Sequence, residues 1–212
     1  MIEIKTLTKQ FKAGKPIFRN VTDLFESGEF IGVVGPNGSG KTTFLRILSV
    51  NSFPTSGGVY YKGVNIHENP ETYLAHVGLV HDQESLPLHL SAVELLEWVL
   101  RSRKAWNDES PERISAMFDR LALGDDRHEQ IGTYSTGMKK KTQVAAALIV
   151  QPEILILDEP LRGLDTAARD QVREMLVEAK EAKTLILMAS HTADSGAEFV
   201  DRVLQFPLNT GS

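Results

Sequence analysis

The stretch Gly35-Pro36-Asn37-Gly38-Ser39-Gly40-Lys41-Thr42-Thr43 has the residue types and spacing of a loop that wraps phosphate. Glycines at 35, 38 and 40 let the backbone take positive φ and approach phosphate oxygens with no Cβ in the way. Lys41 has the length and charge to reach β- and γ-phosphates, and the Thr42 hydroxyl is a ligand for Mg²⁺. The chain enters through Phe30-Ile31-Gly32-Val33-Val34, the apolar run of a buried parallel strand. It leaves through Phe44, Ile47 and Leu48 at helical spacing, so the loop opens a helix whose first N–H groups lack internal partners. A glycine-rich turn with no ligand is the bland alternative, and the complete G-x-x-x-x-G-K-T spacing between strand and helix weighs against it.

A second motif, Ile154-Leu155-Ile156-Leu157-Asp158-Glu159, places two carboxylates behind four apolar residues. Such a strand delivers Asp158 to the sheet edge that holds the phosphate loop, where it joins the Mg²⁺ shell. Glu159, one residue further, can polarise a water for attack on the γ-phosphorus. Asp-Glu-Pro alone would read as a strand ending in a turn. With the upstream loop, the two motifs imply a nucleoside-triphosphate hydrolase whose catalytic candidates are Lys41 and Glu159.

These side chains need a scaffold, and the rest of the chain supplies its pattern. Ile2 and Ile4 alternate with polar residues, and Val21, Leu24, Phe25 and Phe30 flank the turn 26–29, which predicts half-buried antiparallel strands. Another strand, 58–63, is expected to join them. From 86 to 130 the pattern turns helical: Ser91-Ala92-Val93-Glu94 is a capping box before Leu95, Leu96, Val99 and Leu100, and Pro111 opens a second helix through Ile114, Met117, Phe118 and Leu121. Strand and helix then alternate: helix 137–150, strand 154–157, helix 165–183, strand 185–189. The expected fold is α/β, a phosphate-loop nucleotide-binding fold with a mostly parallel sheet. Residues 1–85 and 131–212 form its core with an N-terminal antiparallel β portion, and 86–130 form an inserted helical subdomain.

The chain has 212 residues, a formal charge of −5 and no cysteine. One sizeable core fits that length, and the missing cysteines exclude a disulfide framework or a thiolate metal site. No apolar stretch approaches the roughly 18 to 20 residues that span a bilayer, so a membrane role has to come through a partner. The opening residues lack the regions of a signal peptide, which points to the cytoplasm. The acidic balance argues against a nucleic-acid partner. Lys139-Lys140-Lys141 is the only basic run and reads as a solvated helix face.

Tyr134-Ser135-Thr136-Gly137-Met138, shortly before the acidic motif, resembles the signature of ATP-binding cassette proteins, and the resemblance covers nearly the whole chain. It implies a subunit that binds ATP and Mg²⁺, closes head to tail with a second ATPase subunit around two ATP molecules, and drives a membrane-spanning permease chain from the cytoplasmic face. By that resemblance Ser135 and Gly137 touch the partner's ATP, Asp165 lies in the loop that communicates across the dimer, and His191 is the switch histidine that bonds the γ-phosphate. Asp165 also reads as the cap of the following helix. Phe11 falls where an aromatic stacks on adenine, and it could equally be core. The glutamine that contacts Mg²⁺ aligns with Asp82, with Gln83 next to it, and a carboxylate there adds repulsion near phosphate. Arg162 stands where a serine is usual and Thr136 where a glycine is usual. Met138 followed by three lysines is similar to exporter-class cassettes whose membrane domains form a separate chain. Two rivals remain at this level: a soluble cassette acting in protein or cluster assembly, and a small-molecule kinase with a phosphate loop.

Overall fold

Ile2, Ile4 and Leu7 turn one face of β1 (Ile2–Lys12) inward, and that strand becomes the middle of an antiparallel sheet. It pairs with β2 (Lys15–Phe25) on one side and β4 (Ser56–Tyr61) on the other, and β5 (Val64–Asn65) extends the edge in the order β2-β1-β4-β5. The structure, a computed structural model, describes residues 1–83, 85–190 and 199–208.

The second sheet is parallel. Its strands are β3 (Phe30–Val34), β6 (Val77–Val80), β7 (Ile154–Asp158), β8 (Leu185–Ser190) and β9 (Arg202–Gln205), ordered β6-β7-β8-β3-β9. The central strands read as continuous apolar runs because both faces of the sheet are covered. Along β7, Ile154 and Ile156 face α1 (Lys41–Leu48) and the antiparallel sheet. Leu155 and Leu157 face α3 (Ala92–Ser102), α4 (Ser110–Arg120), α5 (Thr136–Leu148) and α6 (Thr166–Glu181). The period of two along one strand thus sorts its side chains into two cores.

Register matters most for the site. Val34 pairs with Ser190, Asp158 with Ala189 and Val80 with Leu157, so β3, β6, β7 and β8 finish at a common edge. In a parallel α/β sheet that carboxyl edge is where ligands bind.

Several local expectations hold. Ser91 and Glu94 form the reciprocal capping box of α3, with Glu94 N–H donating to Ser91 Oγ at 3.1 Å and Ser91 N–H to Glu94 Oε2 at 2.8 Å. Asp165 Oδ1 accepts from Ala168 N–H at 2.8 Å and caps α6. Others are corrected. The turn 26–29 does not close a hairpin: Phe25 ends a strand of the antiparallel sheet, whereas Phe30 begins one of the parallel sheet, where it pairs with β8. Both residues are apolar because both sheets bury a face, so their character alone does not say which sheet they join. The strand foreseen at 58–63 runs instead over Ser56–Tyr61, and Lys62 and Gly63 turn with positive φ into β5. Short helix α2 (Pro70–Leu74), β6 and β9 complete the fold without having been foreseen. Lys140 is no solvated residue: it is fully buried.

An aromatic cluster ties the antiparallel sheet to the helix behind the phosphate loop. Phe44 of α1 meets Phe18 at 5.8 Å between ring centroids, Phe25 at 6.5 Å and Phe206 at 5.5 Å. Phe44→Ala leaves a cavity at this junction and is expected to cost about 3 to 5 kcal/mol, measured as a shift in urea-unfolding midpoint at constant slope.

Candidate nucleotide site

The phosphate loop is built by collisions that side chains would cause. A Cβ on Gly40, at φ +109°, would run into Ile17 Cγ2, and one on Gly35, at φ +152°, into the Phe206 carbonyl. Gly38, at φ +75°, faces open space. Helix α1 starts at Lys41 with no side chain capping it, so its first N–H groups face outward as donors. The Ser39 hydroxyl is buried without a hydrogen-bond partner among the described residues. Lys41 is only 5% exposed, and its ammonium donates to the carbonyls of Gly35 at 2.6 Å and Pro36 at 3.1 Å. A buried cation held by two carbonyls, beside idle N–H and O–H donors, is a cradle for an anion.

One cleft of about 370 Å³ brings the expected groups together: Asn37, Gly38, Gly40, Lys41, Thr42 and Thr43 from the phosphate loop and the start of α1, with Asp82, Asp158, Glu159 and Arg162. Thr42 stands beside Asp158, close enough for its hydroxyl to favour the charged carboxylate. Burial, with a smaller push from the Asp82 charge, raises the Asp158 carboxyl above its ordinary value, although Thr42, Arg46 and Lys41 pull the other way. Two oxygen ligands held together, one an anion in poor solvent, suit a hard divalent cation completed by phosphate oxygens. Glu159 takes φ +53°, a left-handed conformation that costs a non-glycine residue energy and is retained here at the mouth of the cleft.

Asp82 lies in this cleft, and Gln83 does not; Gln83 lines a neighbouring cleft of about 360 Å³ shared with Thr42, Arg46, His81 and Asp158. Phe11 is 70% exposed, which removes the core reading, and its ring carries the Lys9 ammonium at 4.8 Å. Ser135 caps α5 by accepting from Met138 N–H at 3.3 Å, and Gly137 sits so close to the loop before α6 that a Cβ would stand 3.2 Å from the Gly163 carbonyl. None of Ser135, Gly137 and Asp165 lines the Lys41 cleft. His191 lies outside the described residues; Ser190 before it pairs with Val34 at the entry to the phosphate loop.

Two residues outside the cleft's lining, neither of them a site residue by the sequence pattern, hold the loop that carries Asp82 and Gln83. Lys140 donates to the carbonyls of His81 at 3.0 Å and Asp82 at 3.3 Å and to Gln143 Oε1 at 3.1 Å, and Gln143 Nε2 donates to the Gln83 carbonyl at 3.2 Å. A signal for this was present, because position 140 precedes buried Val144 and Ala147 by four and seven residues, the spacing of one helix face.

Residues 18–162 match the family model described as ABC transporter. The chain belongs to the ABC transporter family as an ATP-binding cassette. It is 29% identical over 208 residues to the ABC transporter ATP-binding protein NatA of Bacillus subtilis, covering 96% of this chain and 85% of that one. To the bacitracin transport ATP-binding protein BcrA of Enterococcus faecalis it is 31% identical over 203 residues, covering 95% of this chain but only 64% of that one. Its fold superposes with a TM-score of 0.85 at 25% identity on a dimeric post-hydrolysis state of the ATP-binding cassette MJ0796 bound to ADP and Pi, over 97% of this chain and 94% of that one. Cassettes of this family bind ATP with Mg²⁺ and hydrolyse it, and the donor set around Lys41, Thr42 and Asp158 fits both ligands. Among the described residues no helix is long and apolar enough to cross a membrane.

Because the Asp158 pKa is raised, the folded chain holds that proton more tightly than the unfolded chain, and stability falls as pH rises above the ordinary value of 3.8. Asp158→Asn is therefore expected to flatten this slope and raise the melting temperature of the nucleotide-free cassette at neutral pH by about a few degrees, while abolishing Mg²⁺-dependent ATP hydrolysis. Melting curves across mildly acidic to neutral pH, beside a phosphate-release assay, check both halves.

Proposed function

We propose that this cassette powers a membrane transporter by closing as a head-to-tail dimer on two ATP molecules and reopening after hydrolysis, with a membrane-spanning permease as its other partner on the cytoplasmic face. The observation that carries the reading is the convergence of the phosphate loop, the Thr42–Asp158 pair and Glu159 in one cleft at the carboxyl edge of a parallel sheet. Relatives named for transport, and a similar cassette seen as a dimer with ADP and Pi, support it.

Within the cleft, Lys41 leaves its two carbonyls for the β- and γ-phosphates, and the N–H groups of residues 38–43 hold the phosphate oxygens. Thr42 and Asp158 hold Mg²⁺, which neutralises phosphate charge when bound, and Asp82 stands near enough to contribute. Glu159 accepts a proton from the attacking water, and His191 orients that water beside the γ-phosphate. Phe11, exposed and rigid, stacks on adenine. Ser135 and Gly137, at the N-terminus of α5, meet the ATP held by the partner subunit, and Asp165 and its loop report on it across the dimer. Residues 86–130 act as the helical subdomain that takes up the motion, and 1–85 with 131–212 act as the ATP-binding core. Met138 followed by Lys139, Lys140 and Lys141 favours the exporter class with a separate permease chain.

Glu159→Gln should keep ATP affinity, lower the hydrolysis rate by about 100-fold or more, and run as a dimer on size exclusion when ATP is present. Lys41→Ala should lose ATP binding in calorimetry. A Glu159→Gln protein that hydrolyses at the parental rate would show that Glu159 is not the base.

A further inference from the structure

An ion pair, Arg162 Nη1 to Asp82 Oδ1 at 2.7 Å, joins the loops that leave β6 and β7 at the nucleotide cleft. The strands are neighbours in register, so the two side chains, 80 positions apart in the chain, are brought together by the sheet. The same cleft is lined by Asp158, Glu159 and Lys41. Set aside Arg162 and the described residues that line the cleft present three carboxylates, Asp82, Asp158 and Glu159, and one ammonium, Lys41, to an incoming polyanion. Asp82 and Asp158 already repel one another. At separations of several Å near a protein surface, an uncompensated carboxylate opposes the binding of an anionic ligand.

We propose that Arg162 is a positioning residue of the nucleotide site: it cancels the Asp82 charge so that a triphosphate can enter a cleft that would otherwise repel it. The inference rests on the nucleotide reading above. Arg162 acts on ATP through Asp82, and the pair functions as a unit whose halves are harmful or helpful only relative to each other. A guanidinium suits the task because it stays charged at any physiological pH and offers a fork of donors, so one N–H can hold Asp82 while others face the cleft. The bland alternative is an ordinary surface ion pair that stitches two loops, worth little to stability and indifferent to the ligand's charge.

The two roles separate in calorimetric titrations of the full chain with ATP and with ADP, without Mg²⁺ so that no metal ligand enters the comparison. Arg162→Gln is expected to weaken ATP binding by about three- to tenfold and ADP binding clearly less, since the triphosphate carries more charge. Adding Asp82→Asn should bring ATP affinity back to within about twofold of the parent, and Arg162→Lys should retain most of it. Raising the salt concentration should shrink the Arg162→Gln defect. With Mg²⁺ restored, the defect should appear mainly in KM, with kcat largely kept. A double variant as weak as Arg162→Gln, equal losses for ATP and ADP, or an Arg162→Gln protein that binds as the parent does would each overturn the proposal. If the parent chain itself binds neither nucleotide, the nucleotide reading fails instead; melting curves of every variant report whether a loss is merely unfolding.

Discussion

Everything in this cassette is arranged around a turn that cannot satisfy its own backbone. A strand ends at Val34 and a helix begins at Lys41, and the glycine-rich residues between them leave N–H groups, a buried hydroxyl and a buried ammonium with only two carbonyls to share. Such a turn is tolerable in the apo chain because it lies at an edge open to water, and it becomes favourable when an anion with several oxygens fills it. Its shape is enforced from behind: Phe206 and Ile17 occupy the places where side chains at 35 and 40 would go, and Phe44 anchors the helix among Phe18, Phe25 and Phe206. The donors therefore point outward because nothing behind them can give way.

The same logic explains how the loop after β6 is held. Among its described residues it has no helix or strand between Val80 and α3, yet Asp82 lines the cleft and Gln83 the neighbouring one. Lys140 and Gln143 of α5 supply the order by binding three successive carbonyls, those of His81, Asp82 and Gln83. Since α5 is capped by Ser135 and carries Gly137 in its first turn, the helix that carries the cassette-like stretch 134–138 also grips the loop that lines the Lys41 cleft. About two turns of one helix thus connect Ser135 and Gly137 to the carbonyls of residues 81–83 through one buried lysine and one amide.

How far the sequence shows all this depends on the range over which each cause acts. The phosphate loop, the apolar run before Asp158, the Ser91–Glu94 box and the Asp165 cap are legible because every participant lies within a few residues of the next. Whether Phe30 pairs with Phe25 or with β8 depends on partners more than 150 positions away, and the shared apolar character of the two phenylalanines misleads. β9 is a four-residue edge strand that is only partly buried, too weak a pattern to stand out. Lys140 reads as solvated because the run of three lysines hides its period, although it shares a helix face with buried Val144 and Ala147. The partnership of Asp82 with Arg162 had no local signal at all: each shows in the sequence only as a departure from the cassette pattern.

That pair illustrates how a site can keep its net charge while changing its members. A neutral residue at each position would leave the cleft with two carboxylates and one ammonium, and the Asp82–Arg162 pair leaves the same balance. The exchange is not free of consequence, since the pair costs side-chain entropy and desolvation to hold, and surface pairs return little of either. What it adds is dependence: the carboxylate is harmless to phosphate only while the guanidinium stays on it. Glu159 in a left-handed conformation and Asp158 with a raised pKa show the same preference for function over local comfort at this edge. The strain, the buried charge and the ion pair all lie within one cleft, while the two apolar cores on either face of the sheet carry the stability that lets the cleft afford them.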